Sequence, residues 1–203
     1  MARPREFDEE AVLDAAVQCF WSRGFEATSV RDLAGSMGIT GASLYNAFGD
    51  KRSLYRKALD HYVENSITDR IRRCADKAPR AAIAGFFAEI LARSLSDPEH
   101  KGCMLVNAAL DVTPDDPQFT QAVASVLDRI EAFFRDKVEA GQADGTITRA
   151  QPAEDLARHL LGVLMGLRVL ARVRPERGLL EGIVRSAMAL LADGSSAGRD
   201  ADA

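Results

Sequence analysis

The side chains best suited to chemistry lie close together near the N-terminus. Thr40, Ser43 and Tyr45 carry hydroxyl and phenol groups, which bond phosphate oxygens well. Asn46 carries an amide that can read the edge of a base, and the methyl group of Ala42 can contact a thymine methyl. If one helix presented these five side chains together, they would form a surface suited to DNA.

Two short helices joined by a tight turn are predicted to hold this surface. Ser29 and Asp32 have the spacing of a capping box, so a helix begins after Ser29. Gly38 ends that helix, and Thr40 caps the next one, from Gly41 to Phe48. This arrangement is a helix-turn-helix, whose second helix enters the major groove.

The packing between the two helices leaves the polar side chains facing outward. A steep crossing needs a small residue and a flexible turn, which Ala34 and Gly38 supply. Leu33, Ile39 and Leu44 would fill the space between the helices. Tyr45 has an alternative, because an aromatic ring beside Leu44 could also pack inward.

The stretch from Thr28 to Leu54 resembles the tetracycline-repressor-type (TetR/AcrR) family of regulators. In one-letter code it reads TSVRDLAGSMGITGASLYNAFGDKRSL, and it follows FWSRGFEA, which is similar to the end of that family's first helix. The resemblance rests on the capping pattern, the turn glycine, the Leu-Tyr-x-x-Phe run and the Asp-Lys pair together.

The resemblance implies a role in DNA binding for each matching residue. Phosphate contacts fall to Thr28 and Ser29 at the start of a helix. The groove would be lined by Thr40, Gly41, Ala42, Ser43 and Asn46, while Tyr45 and Lys51 would hold the phosphate backbone at the flanks. Ala47 stands where many relatives carry histidine, so their base preference does not transfer. Arg3 and Arg5 could reach a minor groove or be solvated terminal charges.

Composition limits the possible classes of protein. The net charge is −4, and residues 1–60 are nearly neutral, so DNA binding would depend on a few well-placed groups rather than on bulk charge. The N-terminus does not resemble a signal peptide, and no uncharged run approaches the roughly 18 apolar residues of a membrane span. Cys19, Cys74 and Cys103 are widely spaced, which predicts reduced thiols in a cytoplasmic protein.

The whole chain is predicted to be all-α, with about nine helices. Residues 1–50 form a three-helix DNA-binding head, residues 51–192 a helical ligand-binding and dimerisation domain, and residues 193–203 a disordered tail. Asp8 caps the first helix and Gly24 ends it, while Asp50 starts a long fourth helix. A later long helix is expected to end at Gly141 and Gly145.

The last two helices are the predicted dimer interface. Both carry wide apolar faces that exceed what one thin shell of chain would cover. In the family that the chain resembles, such helices pair with those of a second copy as a four-helix bundle. The interface residues would be Leu160, Val163, Leu167, Leu180, Ile183 and Ala187. An intramolecular core is the alternative for the same residues.

The middle helices would enclose a pocket for an unidentified small molecule. Such pockets are mostly apolar, with a few convergent polar groups. The candidate lining is Phe86, Phe87, Met104, Asn107, Phe134, His159 and Arg168, for each of which ordinary packing or exposure is an alternative. Cys103 stands at a helix start that can activate a thiol, so it is either an oxidant or electrophile sensor or a small core residue.

Together these observations predict a homodimeric repressor that a ligand releases from a palindromic DNA operator. No cofactor is expected. An enzyme is disfavoured, because the chain has no Gly-rich phosphate loop, nucleophile elbow or zinc-binding His-Glu-x-x-His. Asp155 and His159 are spaced i, i+4, but such a pair is usually a surface contact. A head that binds protein instead of DNA is disfavoured by the polar groups beside Lys51.

Overall fold

The computed structural model describes residues 7–192 of the protein. Arg3 and Arg5 and the predicted disordered tail, residues 193–203, lie outside that range. Within it every regular element is helical, which confirms the predicted all-α class. The helices are α1 (Glu9–Arg23), α2 (Val30–Met37), α3 (Gly41–Phe48), α4 (Lys51–Tyr62), α5 (Asp69–Ala75), α6 (Pro79–Ser96), α7 (Met104–Leu110), α8 (Pro117–Asp144), α9 (Ala153–Val173) and α10 (Arg177–Leu190).

A π-helical segment, Val63–Thr68, joins α4 to α5 without a break. The predicted long fourth helix is therefore unbroken, but its hydrogen-bonding pattern changes from α-helical to π-helical and back again in the middle. Ser66 lies within the segment, and its hydroxyl donates to the Tyr62 carbonyl at 2.7 Å. A side chain that bonds the backbone in this way competes with the regular α-helical ladder. Counted as one helix, α4 to α5 brings the number in residues 7–192 to nine.

The predicted helix starts are confirmed by their caps. Asp8 accepts from the backbone N–H groups of Glu10 and Ala11 before α1, and Asp50 accepts from that of Ser53 at 2.6 Å before α4. Each cap satisfies a backbone donor that has no partner inside the helix.

The predicted end of α8 at Gly141 is wrong, since the helix continues to Asp144. A Cβ atom at Gly141 would lie 2.6 Å from the side chain of Ile147. Gly141 is therefore needed for close packing inside the helix, and Gly145, with φ +79°, is the residue that follows the helix end.

The chain forms two compact units. Of the described residues, the first contains 7–68 together with Cys103–Ala124, and the second contains Asp69–Gly102 together with 125–192. In the first unit α1 packs mainly on α4 and α2. α4, α7 and the start of α8 pack in the same unit as the head, and the functional boundary at residue 50 stays a prediction.

Each unit has its own aromatic core. In the first, Phe20 and Tyr55 are fully buried and their ring centroids are 4.8 Å apart. In the second, four rings lie within 6.2 Å of a neighbouring centroid: Phe86, Phe87, Phe133 and Phe134.

Candidate nucleic-acid interface

The turn between α2 and α3 sets the direction of α3. Gly38 has φ 65° and ψ 24°, the left-handed conformation that glycine adopts without strain. Leu33 and Leu44 are fully buried between the helices, and Ala34 is buried beside them. The predicted helix-turn-helix is therefore present, with Gly38 and Ala34 in the positions that the sequence indicated.

α3 presents an exposed face opposite Leu44. Thr40, Ala42, Tyr45 and Asn46 are exposed on it, while Gly41 and Ser43 are half-buried. Tyr45 is 52% exposed, so its ring is not part of the core, and the alternative of inward packing is wrong. The predicted groove residues thus come together on one short helix.

The hydroxyl groups at the start of α3 are already organised. Thr40 accepts from the Ser43 N–H at 3.1 Å, and the two hydroxyls are 2.9 Å apart. The N-terminal end of a helix carries partial positive charge and free N–H groups, which favours an anion such as a DNA phosphate.

The start of α2 is organised by a full capping box. Ser29 accepts from the Asp32 N–H at 3.1 Å, and its own hydroxyl donates to the Asp32 carboxylate at 2.6 Å. The Ser29 backbone N–H also donates to that carboxylate, at 3.0 Å, and the two donors of Ser29, helped by Arg23 at 3.0 Å, hold the pKa of Asp32 below its usual value. Asp32 is therefore ionised, and Arg23 offsets its charge on a face proposed to meet phosphates.

The prediction that the Thr28 side chain touches phosphate does not fit its position. Thr28 is fully buried, and its hydroxyl donates to the Gly24 carbonyl at 2.7 Å. The hydroxyl ties the turn between α1 and α2 together instead. Ser29, one residue later, is exposed and remains a candidate for phosphate contact.

The buried hydroxyl of Thr28 leads to a direct prediction. Thr28→Val keeps the shape of the side chain but leaves the Gly24 carbonyl without its donor, at an expected cost of about 1–2 kcal/mol in unfolding free energy. Thr28 makes no phosphate contact in this role, so the operator affinity of the folded protein should fall less than the stability does. Urea denaturation and an operator titration measure the two quantities separately. Thr120→Val is the control, because Thr120 makes the same i−4 hydroxyl bond to Asp116 at an exposed site. A loss of affinity without a loss of stability would contradict this role.

Lys51 lies at the first turn of α4, beside the turn that leads into α2. Its Nζ is 4.3 Å from the centre of the Phe25 ring, a cation–π distance. Asp50 caps the same helix, and the hydrogen bond from the Ser53 N–H holds the pKa of its carboxyl below the usual value. Lys51 therefore lies against Phe25 at the start of α4.

The predicted dimer residues lie mostly on the inward faces of α9 and α10. Leu160, Leu167 and Leu180 are fully buried within the single chain, and Ala187 is 2% exposed. These four assignments are corrected, because side chains packed inside one chain cannot also face a second copy. Val163 and Ile183 are half-buried.

The outward faces of the two helices are also apolar. On α9 the exposed residues follow helical spacing: Gly162, Gly166, Val169 and Val173. On α10 a row with similar spacing contains the half-buried Leu179 and Ile183 and the exposed Ser186 and Leu190. We call these two rows the outer face. Of these residues the predicted interface contained only Ile183, because both sides of each helix are rich in apolar residues and periodicity did not distinguish them.

The predicted pocket residues fall into both units. Phe86, Phe87 and Phe134 pack against one another in the second unit, as described above. Arg168 is buried there, and its guanidinium donates to the Ser94 hydroxyl at 2.8 Å and to the Gly102 carbonyl. His159 is exposed on α9, so its assignment to an enclosed pocket is corrected. Met104 and Asn107 belong to the first unit.

Two open cavities in the second unit are lined by other residues. One, of about 550 Å³, lies at the turn between α8 and α9 and is lined by Gln142, Ala143 and the stretch from Arg149 to Pro152. The other, of about 480 Å³, lies between the exposed side of α6 and the start of α10. Neither contains a residue of the predicted pocket.

Cys103 precedes α7 and is buried in the first unit. The hydroxyl of Tyr62 donates to its sulfur at 3.6 Å. This arrangement is that of a packed core thiol, and sensing by Cys103 stays a hypothesis. Within residues 7–192 there is no group of three or more potential metal ligands, and no helix is long and apolar enough to cross a membrane.

Comparisons with known proteins cover both parts of the chain. Residues 12–58 match the family described as "Bacterial regulatory proteins, tetR family", and residues 79–187 match "Tetracyclin repressor-like, C-terminal domain". The HTH-type transcriptional repressor ComR of Escherichia coli (strain K12) is 30% identical over 172 residues, 84% of this chain and 82% of ComR. This chain belongs to the TetR family.

Further relatives extend the similarity of this TetR-family chain to nearly its whole length. The HTH-type transcriptional regulator YezE of Bacillus subtilis (strain 168) is 31% identical over 199 residues, 94% of this chain and 100% of YezE. A solved structure of a cysteine mutant of the TetR family regulator CifR, complexed with 26bp double-strand operator DNA, is 34% identical, with a TM-score of 0.83. The match covers 94% of this chain and 100% of the CifR chain.

Membership of the TetR family identifies the chain as a DNA-binding transcriptional regulator and not an enzyme. The face of α3 is the part of the molecule that fits this activity. In this TetR-family chain the amide of Asn46 is exposed on α3, while Ala47 is half-buried.

Proposed function

We propose that this TetR-family regulator is a homodimeric repressor that binds a palindromic operator and is released by a small molecule. The observation that carries the proposal is the exposed polar face of α3 above the buried Leu44. A short helix with this division of side chains can enter the major groove while its apolar side stays anchored. Because its proposed partner is operator DNA, the protein would act in the cytoplasm.

The outer face supports the proposed dimer. Val169 is 47% exposed and Val173 is 67% exposed, which is unusual for valines on one helical row. Apart from their own stretch of helix, none of residues 7–192 has an atom within 4 Å of the Cβ positions of Gly162 and Gly166. A second copy packed on this face would bury the valines and approach the helix closely at the glycines. Two heads would then read half-sites about one helical turn apart, or a multiple of it.

The second unit supports the proposed effector site. Phe86, Phe87 and Phe134 form an apolar cluster in this unit, and Arg168 is a buried cation whose described partners are a hydroxyl and a carbonyl. A buried guanidinium with neutral partners would gain from an anionic ligand group. A carboxylate-bearing effector therefore fits Arg168 best. Binding would release the operator only if the effector prefers the conformation that binds DNA poorly.

The names of relatives favour repression over activation. ComR is named a repressor, as is BdcR of Escherichia coli (strain K12), which is 43% identical over 61 residues. FasR of Mycolicibacterium smegmatis is named an activator and is 30% identical over 89 residues. A reporter fused to the promoter of the protein's own gene separates the two modes, because deleting a repressor raises its output and deleting an activator lowers it.

DNA binding itself is tested by titrating the full-length protein against DNA that flanks its own gene. We expect one palindromic site to be preferred, with affinity that falls steeply as salt rises, because each neutralised phosphate releases counterions. A scrambled sequence of equal length is the control. Equal binding to both DNAs, or none at low salt, would overturn the proposal.

A further inference from the structure

Arg52, the second residue of α4, lies between two aromatic rings of the first unit. Its guanidinium carbon is 4.7 Å from the centre of Phe25 and 4.2 Å from the centre of Phe119. Its Nε donates to the Asp116 carboxylate at 2.7 Å, and about a fifth of each side chain is exposed. A planar guanidinium can stack and donate at once, which an ammonium group cannot do.

Asp116 uses its two carboxylate oxygens for different tasks. One accepts from the Phe119 N–H at 2.9 Å and so caps the start of α8, and the other accepts from Arg52. Arg52 is the main cause, and the Phe119 N–H the second, of a lowered pKa at Asp116. The charged carboxylate thus joins the first turn of α4 to the first turn of α8.

A second tie lies one turn further along α4. The Tyr55 hydroxyl donates to Asp111 at 3.1 Å, and the Tyr55 ring stacks on Phe119 at 5.3 Å. Burial and the neighbouring Asp111 raise the pKa of Tyr55, so its phenol remains a donor at any ordinary pH. The start of α4 is therefore held by two separate contacts to the segment that precedes and opens α8.

Phe25 connects these contacts to the DNA-binding face. Its ring faces both Arg52 and the Nζ of Lys51, which is 4.3 Å from the ring centre. Phe25 also belongs to the turn that leads into Ser29, the cap of α2. The Phe25 ring also lies 5.0 Å from the centre of Tyr55, so a movement of Arg52 would remove one of its contacts and disturb Lys51 and the turn before Ser29 together.

We propose that Arg52 and Asp116 form a positioning pair that holds Lys51 and the turn before α2 where operator phosphates bind. The inference rests on the proposed function, since it takes an operator as the ligand. Neither residue needs to touch DNA for this role. The pair makes operator affinity depend on the segment that opens α8.

The direction in which one substitution changes the operator affinity tests the pair. Asp116→Asn removes a negative charge from the DNA-binding unit, so electrostatics alone predicts tighter binding. Positioning predicts binding about tenfold weaker, because phosphate contacts at Lys51 and Ser29 are loosened. Asparagine caps helices as well as aspartate does, so the start of α8 is kept. The amide nitrogen would then face the guanidinium of Arg52 and break the pair.

Asp115→Asn is the matched control, since it makes the same change of charge one residue earlier at an exposed carboxyl. Full-length variants are titrated against the selected operator by fluorescence anisotropy over a range of salt concentrations. We expect Asp115→Asn to bind as wild type or slightly tighter. For Asp116→Asn the log–log salt slope should fall by about one, the loss of one phosphate contact. A merely unstable variant would keep the slope and lose only active protein, which stoichiometric titration detects.

Arg52→Ala and the double variant complete the cycle. The double variant should bind no more weakly than Arg52→Ala alone, because the pair is already broken. Asp116→Asn binding as tightly as Asp115→Asn would overturn the positioning role. Failure of the wild type to bind any operator would instead overturn the proposed function.

Discussion

Val169→Asp is expected to give a folded single chain that no longer dimerises and binds its operator at least about a hundredfold more weakly. Val169 is half exposed in the chain, so an aspartate there stays solvated while the chain is alone. In the proposed dimer the outer face of each copy is buried against the other. Leaving an unpaired charge buried costs about 3–5 kcal/mol, and two-fold symmetry makes the interface bear it twice.

The operator affinity should fall because the two DNA-binding heads are no longer held together. A dimer places two copies of α3 on two half-sites, whereas a monomer has only one set of base contacts. Sedimentation velocity gives the oligomeric state, and operator titration gives the affinity. Ala81→Asp is the control, because it adds the same charge at an exposed helical position of the same unit. A Val169→Asp protein that remains dimeric would remove the outer face from the proposed interface.

Lys51→Ala and Asn46→Ala are expected to weaken operator binding in different ways. Lys51 is proposed to contact phosphate, so its removal should lower affinity for all DNA sequences about equally and reduce the salt slope by about one. Asn46 is proposed to read a base. Its removal should cost about 1–3 kcal/mol on the preferred site and much less on sites that differ at that base pair.

A binding-site selection on each variant distinguishes the two patterns. The Asn46→Ala selection should lose its preference at one position of each half-site, while the Lys51→Ala selection should keep the wild-type consensus. Arg129→Ala is the charge control for Lys51, since Arg129 is exposed on α8 in the second unit. If Lys51→Ala altered the consensus and Asn46→Ala did not, the two roles would have to be exchanged.

The head could be predicted closely because its determinants are local. Capping by Ser29 and Thr40 and the left-handed turn at Gly38 depend on residues within four positions of each other. The alternation of buried and exposed residues on α3 follows from one helical period. Thr28 was misplaced because its hydroxyl bonds back to Gly24, and a sequence does not say which way a short side chain turns.

The faces of α9 and α10 could not be predicted in the same way. Leu160 and Val163 are both apolar, and periodicity alone could not rank them against the opposite side of the helix. Tertiary packing on α6 decides which side is inside. The contact between Arg52 and Asp116 spans 64 positions, so no local rule brings it out. Glycines at 162 and 166 were the one signal of an open surface that the sequence carried.

The glycines of the outer face also affect how this protein accumulates. Gly162 and Gly166 have open space at the Cβ position, and each weakens its helix by about 1 kcal/mol relative to alanine. A newly made chain would thus begin with an α9 helix that is less stable than its length implies. Pairing with a second copy would restore that stability by mass action, so scarce chains would be the ones most open to proteolysis. Below the concentration at which two copies associate, proteolysis would then remove the regulator faster than it removes the paired form.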